Sequence, residues 1–351
     1  MKKLFYLLIG ALFLASCNND DKNDNKGAYD NGVFVVNEGP FLTGTGTLTF
    51  IDDDGTVTQQ VFEKENNNTL LGNIAQSMIW HDGRYYIVVN NANKIVVADK
   101  DMKAVGEITG LYAPRYMVAS GGKAYVSEWG QNNENGGIAV IDLSTLNISK
   151  RIPTGNGPEI LLLDGNQLFV PNGGSYDPAT FDPKPDSTVS VIDLGSESVT
   201  ATIPVKYNPN SICKVTNGYL VAAAEKSYQA GNGNIYTINR SDLSSQIVNG
   251  AVTGGAGNFA KLRRIDDSKA VVISGGYEAV VLNYDASSRT ITGKNSLGSA
   301  YAADYDEERN LIYVADAKDF TGTGEVKTYS VSGQLSSTFA AGIIPGSFCF
   351  R

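Results

Sequence analysis

The chain has 351 residues, of which 42% are hydrophobic and 19% charged, with a formal net charge of −9. That acidic balance argues against a nucleic-acid binder, which needs a basic footprint. With one histidine, no CxxCH sequence and no Gly-rich loop leading into a helix, a His-based triad, c-type haem attachment and a P-loop are excluded.

In chain order, Met1-Lys2-Lys3 is a basic n-region, and Leu4 to Leu14 is an apolar run too short to span a bilayer comfortably. Leu14-Ala15-Ser16-Cys17 follows and resembles the lipobox of bacterial lipoproteins. The resemblance implies cleavage before Cys17, lipidation of Cys17, and a membrane anchor that does not span. Asn18 to Lys26 contains only Asn, Asp and Lys, so it cannot bury apolar area and reads as a tether. Acidic residues just behind such a cysteine resemble the export tag of surface lipoproteins in Bacteroidetes. That implies an outer-membrane protein facing the cell exterior. The expected organisation is a signal peptide and lipobox over 1–17, a disordered acidic tether over 18–30, and one domain over 31–351.

From Gly32 onward the pattern is strands, in repeats of roughly 40–50 residues, the length of four strands and their turns. Gly32-Val33-Phe34-Val35-Val36-Asn37-Glu38 reads as a second strand with no first. Openings of first strands follow at 74–78, 113–117, 157–161, 208–212, 257–261 and 299–303, each leading through a turn to a second strand. The third repeat shows the plan, with strands over 116–119, 124–128, 137–143 and 148–152. Gly121-Gly122 supplies the positive φ of its hairpin. Third strands recur at 95–99, 138–142, 189–193, 235–239, 280–284 and 326–329, usually followed by an Asp or Asn that caps the next turn.

Ile344-Pro345-Gly346-Ser347-Phe348 is a further opening with no hairpin behind it. A chain that ends on a first strand and begins on a second can close into a ring. The expected fold is therefore all-β, a seven-bladed β-propeller whose C-terminal strand closes the first blade with the N-terminal strands. Cys213 and Cys349 share a column of the repeat in blades that are not neighbours, so both are expected as buried thiols and not as a disulfide.

In such a ring the loops entering first strands and the loops joining second to third strands gather at one mouth of the central channel. The third residue of each opening should ring that mouth: Gln76, Arg115, Glu159, Asn210, Phe259, Tyr301 and Gly346. Ends of second strands add Asn37, Glu38, Asn90, Asn91, Glu128, Trp129, Asn172, Glu225, Asp316 and Lys318. The second-to-third loops add Phe41, Tyr176, Phe181, Tyr228, Tyr277 and Phe320. The longest of these loops, 172–187, holds Pro178, Pro183 and Pro185 beside Tyr176 and Phe181, a stiff presentation of aromatic rings that suits a covering role. Glu38, Glu128, Glu159, Glu225 and Asp316 with Asn210 could hold a structural Ca²⁺, an arrangement similar to lactonase-type propellers, but Arg115 in the same ring disfavours a cation. His81 sits in a turn at the other end. The expectation is a binding protein, not an enzyme, with no resident cofactor.

Gly121 to Glu128 and Gly136 to Asp142 resemble the YncE-like seven-bladed propellers. Val35-Val36-Asn37-Glu38-Gly39, taken with Cys17 and the acidic tether, resembles the BtuG-type surface lipoproteins of Bacteroides. Those capture vitamin B12 and pass it to the TonB-dependent transporter BtuB in the outer membrane. The resemblance implies cobalamin, or a related corrinoid, as ligand and a BtuB-like transporter as partner. It carries over no binding residue; the sites named above come from the face argument alone. Two readings from other classes stand beside it: a cell-surface protein-interaction propeller without a small ligand, and a metal-dependent lactonase-like enzyme.

Overall fold

The computed structural model describes residues 27–41, 43–224, 233–248, 260–274, 277–285 and 287–351. Cys17 and the tether as far as Lys26 lie outside the described residues. The described residues form seven four-stranded antiparallel sheets, arranged as a seven-bladed propeller, and one two-stranded hairpin.

The second strand of each blade explains why the sheets stack. Arg84–Val89 is a nearly continuous apolar run, because both of its faces are covered. Tyr85, Ile87 and Val89 pack toward the first blade with Phe34 and Val36, while Tyr86 and Val88 pack toward the third with Met117 and Val126. Strand alternation thus sends successive side chains into different interfaces. Each such side chain, fully buried, contributes roughly 1.5–3 kcal/mol. The outer strands have one face in solvent and read accordingly; in Asn147–Pro153 only Ile152 is buried.

The ring closes as the sequence implies. Pro345–Phe350 pairs antiparallel with Gly32–Asn37, in the register Val33 to Phe350, Phe34 to Cys349 and Val35 to Phe348. Gly32 and Arg351 exchange backbone hydrogen bonds of 3.1 and 2.9 Å. The Arg351 guanidinium lies 3.6 Å from the Trp80 ring centroid, and its Nη2 is 2.6 Å from Asp30 Oδ1. Residues 27–30, expected in the tether, pack instead on the propeller: Tyr29 is in the core beside Phe34, Phe50 and Tyr85, and Ala28 donates its N–H to Asp101 Oδ1. Cys213 and Cys349 are buried free thiols.

One element has no counterpart in the sequence reading. A single helical turn, Val61–Glu65, buries Val61 and Phe62 in the connection between the first and second blades.

Candidate functional site

The chain enters most inner strands through a kink. In five blades the residue two before the ring position has positive φ: Ile74 (61°), Ala113 (47°), Gly157 (59°), Asn208 (54°) and Ile344 (56°). For β-branched Ile74 and Ile344 this backbone is strained, and it recurs at the same place in separate blades.

Arg115 is the hub of the ring residues. Its Nη1 donates to Gln76 Oε1, and its Nε and Nη2 donate to Glu159 Oε1 and Oε2 at 3.1 and 3.2 Å. Trp129 donates Nε1–H to Glu159 Oε1 at 3.1 Å, and its ring centroid is 4.6 Å from the Arg115 guanidinium. Burial works against the charge on Arg115, but the bidentate Glu159 outweighs it, and the pKa is raised.

Across the mouth, the Tyr301 hydroxyl donates to Glu38 Oε2 at 3.0 Å. Lys261 donates to the carbonyls of Tyr301 and Gly346 at 3.1 and 2.9 Å, and its Nζ is 4.2 Å from the Tyr301 ring centroid. Burial lowers the Lys261 pKa to about 8, with repulsion from Arg115 and Arg263 adding to the effect and Glu38 opposing it. Burial also raises the pKa of Glu38 against the pull of Lys261 and Arg115.

Two aromatic clusters flank this polar layer. Trp129 meets Tyr176 edge-on at 5.6 Å, and Tyr176 stacks on Phe181 at 5.8 Å. On the other side Phe320 meets Tyr277 at 5.3 Å and Tyr301 at 5.5 Å. The first cluster is pinned: Ser175–Tyr176 pairs with Pro183–Lys184, Asn133 donates to the Tyr176 carbonyl at 3.0 Å, and Lys184 binds Glu134 at 2.8 Å. Among the described residues the exposed large aromatics are Phe41, Tyr112, Phe181, Tyr207 and Tyr277. All of them lie in loops of the mouth face.

The structure therefore gathers Gln76, Arg115, Glu159, Trp129, Tyr176, Phe181, Tyr277, Tyr301 and Phe320. Asn210 holds the ring position of the fifth blade, its Oδ1 accepting from Ser211 Oγ at 2.9 Å. Asn91 is on the exposed rim, donating to Asn73 Oδ1 at 2.7 Å. Two expectations are corrected. Asn37 is fully buried and bridges blades, donating to Thr49 Oγ1 and accepting from the Gly342 N–H. Glu128 is also buried and turns away from the channel, accepting from Arg151 Nε at 2.9 Å and the Tyr112 N–H at 2.7 Å.

Phe259, Tyr228 and Glu225 lie outside the described residues. The ring position of the sixth blade, assigned to Phe259 from sequence, belongs to Lys261. A signal for it was present: Gln76, Arg115, Glu159, Asn210 and Tyr301 each precede the last residue of their strand by five positions, and five before Asp266 is Lys261. Glu38 and Lys261 are thus the functional residues that the sequence reading under-weighted or missed. Glu128 and Glu159 are each engaged by an arginine, and among the described residues no three Asp, Glu, His or Cys side chains gather to hold a metal. His81 is at the opposite end, its Nε2 3.4 Å from the Gly121 carbonyl.

Residues 31–261 match the family model described as a domain of unknown function, DUF5074. The chain belongs to the DUF5074 family. No curated protein matches this DUF5074 chain in sequence. Solved structures share its fold. The periplasmic gluconolactonase of Pseudomonas aeruginosa superposes with a TM-score of 0.65 at 12% identity, covering 90% of this chain and 98% of that one. A quinonprotein alcohol dehydrogenase-like protein from Bacteroides thetaiotaomicron gives 0.63 at 14% identity, covering 92% and 78%. A hypothetical selenium-binding protein from Sulfolobus tokodaii gives 0.69 at 10% identity, covering 92% and 94%. At these identities the likeness of the DUF5074 chain to them is one of fold alone.

Proposed function

We propose that this propeller captures a large amphipathic nutrient on the mouth face, that the nutrient is cobalamin, and that the protein hands it to a BtuB-like TonB-dependent transporter from a lipid anchor at Cys17 on the outer membrane. The observation that supports this reading is the confinement of the exposed large aromatics, among the described residues, to one face, around a layer of amide, carboxylate and guanidinium groups. A corrin is a broad apolar ring with a fringe of amides. Tyr277, Phe320, Tyr176 and Phe181 suit the ring, and Asn91, Asn210 and the partly exposed Arg115, held from beneath by the buried Gln76 and Glu159, suit the fringe. In this reading the ligand lies over the mouth and meets the rings from outside. The role is binding, not catalysis.

The test is calorimetric titration of cyanocobalamin into the soluble chain beginning at Gly27. Tight one-to-one binding is expected, and no binding at micromolar ligand removes cobalamin as the ligand. The only histidine is His81, at the far end. The cobalt should therefore keep its own lower ligand, and the bound absorption spectrum should match that of the free vitamin. Cys17→Ser should move the folded protein out of the membrane fraction.

A further inference from the structure

The channel has a second end. A cavity of about 690 Å³ opens among the turns that join first to second strands. Its inner end includes Ser77 and Tyr116, each one residue beyond a mouth residue, so the Gln76–Arg115–Glu159 layer separates it from the mouth. The volume is that of a small-molecule site.

The wall is apolar where Met78, Met117, Leu161 and Ile212 line it, and the equivalent place in the sixth blade is held by Arg263. Arg263 is only partly committed. Its Nε donates to Asp304 Oδ2 at 3.0 Å and its Nη1 to the Leu262 carbonyl at 3.1 Å, while Nη2 has no acceptor among the described residues. Its neighbour Arg264, at the outer rim, is engaged by Asp267 at 3.1 Å and by Glu307 at 3.8 Å. The Arg263 side chain is 26% exposed, so Nη2 is open to an incoming ligand, and a carboxylate beside the apolar wall would pair with it through a charge-assisted hydrogen bond.

We propose that this cavity binds a small carboxylic acid with an apolar body, its carboxylate on Arg263 Nη2 and its body against the Met78, Met117, Leu161 and Ile212 wall. The site is separate from the mouth and does not depend on what the mouth binds.

The probe is decanoate, titrated by calorimetry into the soluble chain beginning at Gly27, with decanol as the control that keeps the body and lacks the charge. Decanoate should bind one-to-one, and decanol should bind roughly tenfold or more weaker. Arg263→Gln should bring the two to similar affinities. Ile79→Trp, which fills the cavity from its wall, should abolish both. Saturating cyanocobalamin should leave the decanoate titration unchanged. Equal affinities for decanoate and decanol in the unmodified protein overturn the role of Arg263, and that comparison stands even where the Arg263 variant does not fold. Absence of decanoate binding, or binding that survives Ile79→Trp, overturns the site. Failure of cyanocobalamin to bind touches the mouth alone.

Discussion

Lys261 and Glu38 carry opposite charges into the mouth, and burial penalises both. The Lys261 pKa falls from 10.5 to about 8, so between those values the folded chain binds fewer protons than the unfolded chain. Stability therefore rises with pH across that window, and below pH 8 the cost of the buried charge is fully present. Lys261→Gln should flatten the rise, which is worth about 3 kcal/mol, in denaturant melts taken from pH 7 to 10.5. A rise of the same size in the variant would assign it to other groups. Arg115 works in the opposite direction. Its partner Glu159 has only 10% of its side chain exposed, so Arg115→Met leaves a carboxylate without its bidentate cation. That variant should lose roughly 3 kcal/mol of stability at neutral pH, and Glu159→Gln distinctly less, because the amide oxygen still accepts. For ligand capture, the residue to remove is Trp129, the link between the charge layer and the Tyr176–Phe181 stack. Trp129→Ala should weaken cyanocobalamin binding by roughly 2–4 kcal/mol, and an unchanged affinity would place the ligand elsewhere.

At the scale of the element, the kinked strand entrances respond to substitution by very different amounts. A Cβ on Gly157 would lie 2.0 Å from the Gly174 carbonyl oxygen, at a φ of +59°. Gly157→Ala should therefore destabilise by about 2 kcal/mol or more. Ala113 holds the same conformation at 47° with a side chain already in place, so Ala113→Gly relieves strain there and should cost little stability in thermal melts. The same elements show what the sequence made legible. Strand runs separated by Gly- and Asp-rich turns fix the blade plan, because each blade needs apolar residues on both faces and a tight turn at the same interval. Sequence resolved the rest less well, for three physical reasons. Alignment on Gly257 put Phe259 where the spacing from the turn puts Lys261. A strand end says that Asn37 and Glu128 are near the mouth but not which way a polar side chain turns, and Thr49 and Arg151 decide that. Val61–Glu65 is one turn long, too short for helical periodicity to appear.

For the whole molecule, the ring is closed at one seam, where the two ends of the chain meet. Arg351 there stacks on Trp80, pairs with Asp30, and through its carbonyl accepts from Gly32 and from Arg309 Nη2. Arg351→Ala removes the stack and the ion pair and leaves the backbone bonds. It should lower stability by about 2 kcal/mol, read as a shift of the thermal midpoint, and Asp30→Asn by less. The seam also has a consequence in time. Six blades are built from strands that follow one another directly, so their hairpins can form as soon as each stretch of chain is available. The first blade cannot. Asp30 and Arg351 are separated by 321 positions, and until that distance is closed Gly32–Asn37, whose six residues are all buried in the finished fold, presents a bare apolar edge. The slowest event in folding should therefore be the docking of 345–351. A refolding experiment that follows Trp80 fluorescence, which senses Arg351 directly, should report it as a phase later than the growth of β-structure.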